Sequence, residues 1–191
     1  MHKSLVRLMV AHPDHAEILA NAIAVARSYD DSTLRNFSMF TRPLTVMEEK
    51  AYLIRMHSSL KVRFPKDNLF LIIRVEDGKL LGTTGLHEVD EHNHTARIGI
   101  MIFDPRERHR HYATEALDEL LEFGFRRLEL NKVYANVLVN NQDQIAWDEH
   151  YGFVEEGLLR KAYLLNGQYH DMIQLALLKS EWEVRRNKGK L

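Results

Sequence analysis

The stretch Arg108-His109-Arg110-His111-Tyr112-Ala113-Thr114-Glu115 decides how this chain is read. It lies between a strand-like run, Ile98 to Phe103, and a strongly periodic helix, Ala113 to Leu128. A strand, a short basic turn and a helix N-terminus make an anion site, because free backbone N–H groups and the positive helix end point the same way. Two arginines and two histidines add side-chain charge, yet the glycines that phosphate loops usually use are missing. Taken alone, the same residues also fit a solvated basic turn.

The helix that follows is the clearest element. Ala113, Ala116, Leu117, Leu120, Leu121, Gly124, Phe125 and Leu128 form one apolar face, and Asp118, Glu119, Glu122 and Arg126 form the wet one. Upstream, Leu5 to Val10 reads as a strand, and Pro13-Asp14 opens a helix running to Arg27. Ser28 to Pro43 reads as a loop or irregular helix. Thr45 and Glu48 have capping-box spacing and open a second helix to about Leu60. Leu69 to Val75 and Leu80 to Val89 are strands joined by a turn containing Asp77-Gly78, and Thr95 to Phe103 is the next strand. Downstream, Val133 to Val139 is a strand, and Asp143 to Tyr151 is a helix stopped by Gly152. Leu158 to Leu165 and Gln168 to Leu178 pair across Asn166-Gly167. Glu181 to Leu191 reads as a frayed basic tail. The order β-α-α-β-β-β-α-β-α-β-β predicts a mixed α/β domain with a largely antiparallel sheet.

At 191 residues the chain fits one domain, residues 1–184, followed by the basic tail 185–191. The formal net charge of −1 supplies no global field toward nucleic acid or an acidic membrane. The absence of cysteine removes disulfides and thiolate chemistry and suits a reducing compartment. No apolar run approaches the ~18 residues of a membrane span, so the expected location is cytoplasmic. His92-x-His94 and His109-x-His111 are only pairs, whereas zinc needs three or four convergent ligands, so no metal is expected.

Several segments, in this order and spacing, resemble the GNAT superfamily of acyl-CoA-dependent N-acyltransferases, most of all its RimJ/RimL/SpeG branch. They are Gly82-Thr83-Thr84-Gly85-Leu86-His87, Ile98-Gly99-Ile100-Met101-Ile102, Pro105 through Ala116, Asn141 through Phe153, Glu156 through Arg160, Asn166 through Asp171, and Leu178 to Trp182. The resemblance implies a twisted, mostly antiparallel mixed sheet of about seven strands flanked by about four helices. It also implies acetyl-CoA as co-substrate. The fourth strand would splay from the fifth, and Ile100, Met101 and Ile102 would pair with the pantetheine arm as an added strand would. The loop Arg108, His109, Arg110, His111, Tyr112, Ala113, with Thr114 following, would hold the pyrophosphate, and Asn141 would contact the cofactor.

The chain departs from the family pattern in three places. His109 and His111 stand where glycines are usual. Either the loop keeps its turn with the rings outward, or the rings donate to phosphate and make affinity pH-dependent, or another donor is used. Asp148 occupies the position of the tyrosine that protonates the departing thiolate. It reads as a surface helix residue, and an aspartate of ordinary pKa is a poor donor unless burial raises it; either Tyr151, about one turn on, substitutes, or the thiolate leaves unaided or takes a proton from water. Arg97 stands where relatives carry a glutamate base, leaving Glu88, with His87 and Asp90 beside it, as the candidate.

The expected function is therefore acetyl transfer from acetyl-CoA, by direct attack, to a primary amine of a small molecule or a protein N-terminus. Acidic Asp30, Asp31, Glu88, Asp90 and Glu91 suit a cationic acceptor. Two alternatives stay open: a non-catalytic binding module with a degraded loop, and a transferase using an acyl-carrier protein or aminoacyl-tRNA. A homodimer also stays open; neither membrane nor direct nucleic-acid contact is expected.

Overall fold

The computed structural model describes residues 4–29, 45–59 and 65–187. Its first strand, β1 (Val6–Val10), leads through a 3-10 turn (Pro13–His15) into α1 (Ala16–Ser28); α2 (Val46–Ser59) follows. Next come β2 (Asn68–Arg74), β3 (Leu80–Asp90), β4 (Thr95–Ile102), a second 3-10 turn (Pro105–Glu107) and α3 (Tyr112–Glu122). The chain closes with β5 (Lys132–Leu138), α4 (Gln142–Tyr151), β6 (Val154–Leu165), β7 (Gln168–Leu178) and α5 (Lys179–Asn187). The loop expected over Ser28 to Pro43, with Asp30 and Asp31, falls almost wholly outside the described residues.

All seven strands form one sheet in the order β1-β2-β3-β4-β5-β7-β6, antiparallel except between β4 and β5. Alternation along the strands assigns each helix to a face. Leu71, Ile73, Met101 and Phe103 pack with Leu19, Ile23 and Leu53 of α1 and α2. Ile72 and Ile102 pack on the opposite face with Ala116 of α3. Ile98, Val133 and Leu175 join the large cluster holding Leu117, Leu120 and Leu121 of α3 and Ile145 and Tyr151 of α4. Leu69 to Ile73 of β2 is an unbroken apolar run because the strand lies inside the sheet with both faces covered.

The local signals act as their chemistry dictates. Glu48 N donates to Thr45 Oγ1 at 3.1 Å and Thr45 N donates to Glu48 Oε2 at 2.9 Å, closing the capping box of α2. Asn166 (φ 51°) and Gly167 (φ 79°) both take the left-handed conformation that a two-residue hairpin needs.

Two expectations are corrected. The helix read as continuous to Leu128 leaves α geometry at Glu122 and makes a π turn over Phe123–Arg127. Residues two apart lie on nearly opposite sides of an α-helix. The wider turn lets both Phe123, edge-on to Phe70 at 5.3 Å, and Phe125, 5.2 Å from Trp182, reach the core. The frayed tail is also wrong as far as Asn187: α5 is a helix whose Trp182 is 2% exposed. Arg185 and Arg186, placed in that tail, belong to this helix, and Arg185 Nη2 donates to His150 O at 2.9 Å. Among the described residues, no helix is long and apolar enough to cross a membrane.

Candidate active site

β4 and β5 pair only at Thr95–Lys132, Ala96–Val133 and Arg97–Tyr134. Beyond Arg97, β4 stays paired with β3 as far as Ile102 while β5 follows β7 as far as Leu138. The two strands therefore part, and among the described residues the β5-facing edge of β4 from Ile98 onward has no strand beside it. Ile100, Met101 and Ile102 lie on that diverging half, where an extended ligand chain can complete the ladder.

The basic loop follows directly. His109 and His111 adopt φ 58° and 63°, the left-handed region in which glycine is most at ease. His111 is also the cap residue of α3 and offers no capping side chain, so the first amides of the helix keep the orientation that binds anions. The loop is bolted down at its start. Arg74 Nη1 lies 3.1 Å from both Glu107 oxygens, and Lys79 Nζ lies 2.7 Å from Glu107 Oε1. Arg106 turns away to Asp104 and to the Tyr29 hydroxyl, 2.8 Å from its Nη2. Glu115, at the loop's far end, accepts from Leu5 N at 2.9 Å. His109, Arg110 and His111 are exposed, and Tyr112, Ala113 and Thr114 are half-buried on the first turn of α3.

α4 starts where β5 ends. Asn141 is its N-cap residue and makes no capping bond with its side chain. Asp148 is 3% exposed, correcting the surface placement. Gln144 Nε2 donates to Asp148 Oδ1 at 2.9 Å, Oδ2 is buried without a partner, and burial pushes the carboxyl up to about 7. Tyr151 is also buried; its hydroxyl donates to Asp118, and burial followed by that carboxylate pushes the phenol well above its ordinary value.

On the sheet face toward α1 and α2 lies a cavity of about 560 Å³, lined by Glu48, Glu49, Tyr52, Arg55, Asp67, His87, Arg97 and the sheet from Thr83 to Met101. Gly85 and Gly99 are register partners here, so the floor of the cavity is bare backbone. Glu49 is 4% exposed, and burial raises its carboxyl above the ordinary range. Glu88 does not line this cavity. It sits at a break in the β3–β4 register with φ 54°, and its carboxylate binds Arg97 (Nη2 at 2.9 Å) and the Tyr134 hydroxyl (3.2 Å). Asp90 caps its own turn through the amides of His92 and Asn93. Sequence reasoning passed over Glu49, Tyr52 and Asp67. The Glu48-Glu49 pair directly after the capping box was the one available signal. A second, more open groove of about 820 Å³ runs over Leu158 to Ala162 and Asp171.

Comparison with known proteins agrees with this geometry. Residues 7–154 match the family model described as the acetyltransferase (GNAT) domain. A putative ribosomal N-acetyltransferase, YdaF, of Bacillus subtilis is 39% identical over 107 residues, which are 56% of this chain and 58% of that relative. A spermidine N(1)-acetyltransferase of Vibrio cholerae is 28% identical over 70% of this chain and 73% of its own. The crystal structure of a probable acetyltransferase superposes with a TM-score of 0.81 at 26% identity, covering 94% of this chain and 96% of that one.

Proposed function

The chain belongs to the GNAT family of acetyltransferases, and we propose that it transfers the acetyl group of acetyl-CoA to a primary amine by direct attack. The observation that carries the donor assignment is the left-handed backbone of His109 and His111. The turn that glycines usually permit is made without them, with both residues exposed rather than turned into the sheet. This favours acetyl-CoA over a degraded loop or a different carrier.

In this reading the open edge of β4 at Ile100 to Ile102 pairs with the pantetheine arm, amides of residues 108–114 hold the pyrophosphate, and Asn141 closes on the cofactor from α4. The amine enters from the α1/α2 cavity on the other side of the sheet. Its nitrogen attacks the thioester carbon, the C–S bond breaks, and the sulfur takes the proton of Asp148. A carboxyl held at about 7 is half protonated at neutral pH and serves as a donor, as an ordinary aspartate does not. Tyr151 is the weaker candidate because its proton is already given to Asp118. Much of the rate comes from holding both substrates in line.

The acceptor carries positive charge. Glu48, Glu49 and Asp67 line its cavity, and Arg97 is neutralised by Glu88. The names of the two relatives, a ribosomal acetyltransferase and a spermidine acetyltransferase, bracket the choice between a protein amine and a polyamine. Calorimetric titration with acetyl-CoA tests the donor: saturable binding is expected, and none at millimolar cofactor overturns the reading. Release of CoA with spermidine and with a peptide bearing a free N-terminus then separates the acceptors.

A further inference from the structure

We infer that His87, oriented by Asp67, is the base that takes the proton from the acceptor nitrogen. This rests on the acetyltransferase reading and adds the residue that the family position at Arg97 leaves unfilled. Both side chains line the acceptor cavity, from different parts of the chain: Asp67 precedes β2 and His87 is on β3. His87 Nδ1 lies 3.2 Å from Asp67 Oδ1. An ionised carboxylate only accepts, so Nδ1 carries the hydrogen and Nε2 keeps its lone pair. Nε2 lies over the bare glycine floor: it would stand 3.2 Å from a Cβ built on Gly85 and 3.6 Å from one built on Gly99. An imidazole fixed in one tautomer by a carboxylate, with the other nitrogen open to a substrate cavity, is the arrangement a general base needs.

The imidazole is also neutral in the working range. Burial holds it below its ordinary value, and Arg97 on β4 pushes the same way, against the raising effects of Asp67 and Glu88. From α2 the cavity is faced by Glu48, Glu49, Tyr52 and Arg55. The proton balance is simple. As the N–C bond forms, the nitrogen's proton passes to Nε2; the C–S bond breaks and the sulfur takes the proton of Asp148. The imidazolium then returns its proton to solvent, and the Asp148 carboxylate regains one from it.

The test uses the full chain with acetyl-CoA, spermidine as acceptor probe, and nitrogen NMR of the labelled histidines, which needs no acceptor. In the wild type the His87 signals should show Nδ1–H and an unprotonated Nε2 at pH 7. Asp67→Asn should lower the pKa of His87 and move the acid limb of kcat down with it, a shift that a merely structural role would not produce. His87→Gln should keep its acetyl-CoA affinity and lose about 100-fold in kcat, with partial rescue by added imidazole. An Nε2–H tautomer, unchanged kcat in His87→Gln, or an acid limb abolished by Glu49→Gln instead would each overturn the inference. Failure of the wild type to bind acetyl-CoA would sink the acetyltransferase reading itself, and is seen separately.

Discussion

Gln144 and Asp148 are one turn apart on α4, and the Gln144 amide is the only hydrogen-bond donor that reaches the Asp148 carboxyl among the described residues, 2.9 Å from Oδ1. The other oxygen is buried and unanswered, so the site favours the protonated acid. Unfolded, this carboxyl titrates near 3.9; folded, it titrates at about 7. The folded chain therefore holds an extra proton between those values. The associated stability is complete below about pH 4 and is lost as pH rises through 7, by an amount on the order of 4 kcal/mol. Urea unfolding from pH 4 to 8 should fall more steeply for the wild type than for Asp148→Asn, and parallel slopes would show that the carboxyl is not raised. If Asp148 is the acid, kcat should also decline above pH 7 in the wild type and be low and flat in the variant.

The loop makes a separate prediction. A left-handed β-carbon-bearing residue costs about 1–2 kcal/mol, and glycine's freedom in the unfolded chain returns part of that. His111→Gly should therefore melt at or slightly above the wild type, and His111→Ala below the glycine variant by about 1 kcal/mol. Both lack the ring, so any difference between them in acetyl-CoA affinity reports backbone freedom alone. Calorimetry on the pair, and on the same pair at His109, should give tighter binding for glycine than for alanine. Equal affinities would mean that the loop does not need this turn to hold the cofactor.

Much of the fold can be read locally. The Asn166-Gly167 turn, the Thr45–Glu48 cap and the alternating strands depend on residues close in sequence, and each appears where its chemistry puts it. The parting of β4 from β5 does not, because it is a fact of pairing between residues 95–102 and 132–138. The cavity on the α1/α2 face gathers Glu49, His87 and Arg97 from three separate elements and Asp67 from the segment before β2, so no spacing announces it. Asp148 lies between these cases. Ile145, Asp148 and Tyr151 recur at intervals of three and share the buried stripe of α4. That pattern was present in the sequence, but a carboxylate on a short helix otherwise reads as surface. Glu88 was favoured for being an acid near the cleft, and only its register break shows it turned to Arg97 and Tyr134.

The glycine floor can be tested at its two halves. A Cβ on Gly85 would lie 2.3 Å from the Asn68 carbonyl oxygen, which is backbone and cannot yield cheaply. Gly85→Ala should cost about 1–3 kcal/mol by overpacking. Among the described residues, a Cβ on Gly99 would meet nothing nearer than the His87 ring at 3.6 Å, an ordinary contact. Gly99→Ala should therefore fold normally and bind acetyl-CoA as before while raising the KM for the amine. Thermal melts and two-substrate kinetics separate the outcomes, and an unchanged amine KM would place the acceptor elsewhere.

The C-terminal helix gives the last prediction. Trp182 is fully packed, 5.2 Å from the Phe125 ring, with the Arg126 guanidinium at 5.7 Å and that of Arg186 at 5.2 Å from its ring centre. Phe125 reaches this contact through the π turn after α3, so the ring links α5 to the helix that follows the basic loop. Trp182→Ala opens a cavity in the largest core cluster and should cost about 3–5 kcal/mol. A frayed tail would tolerate it silently. Arg186→Ala removes only an exposed ion pair with Glu122 and a cation–π contact, and should cost about 1 kcal/mol or less. Denaturant midpoints for the two variants should differ widely; similar midpoints would mean that α5 is not part of the folded core.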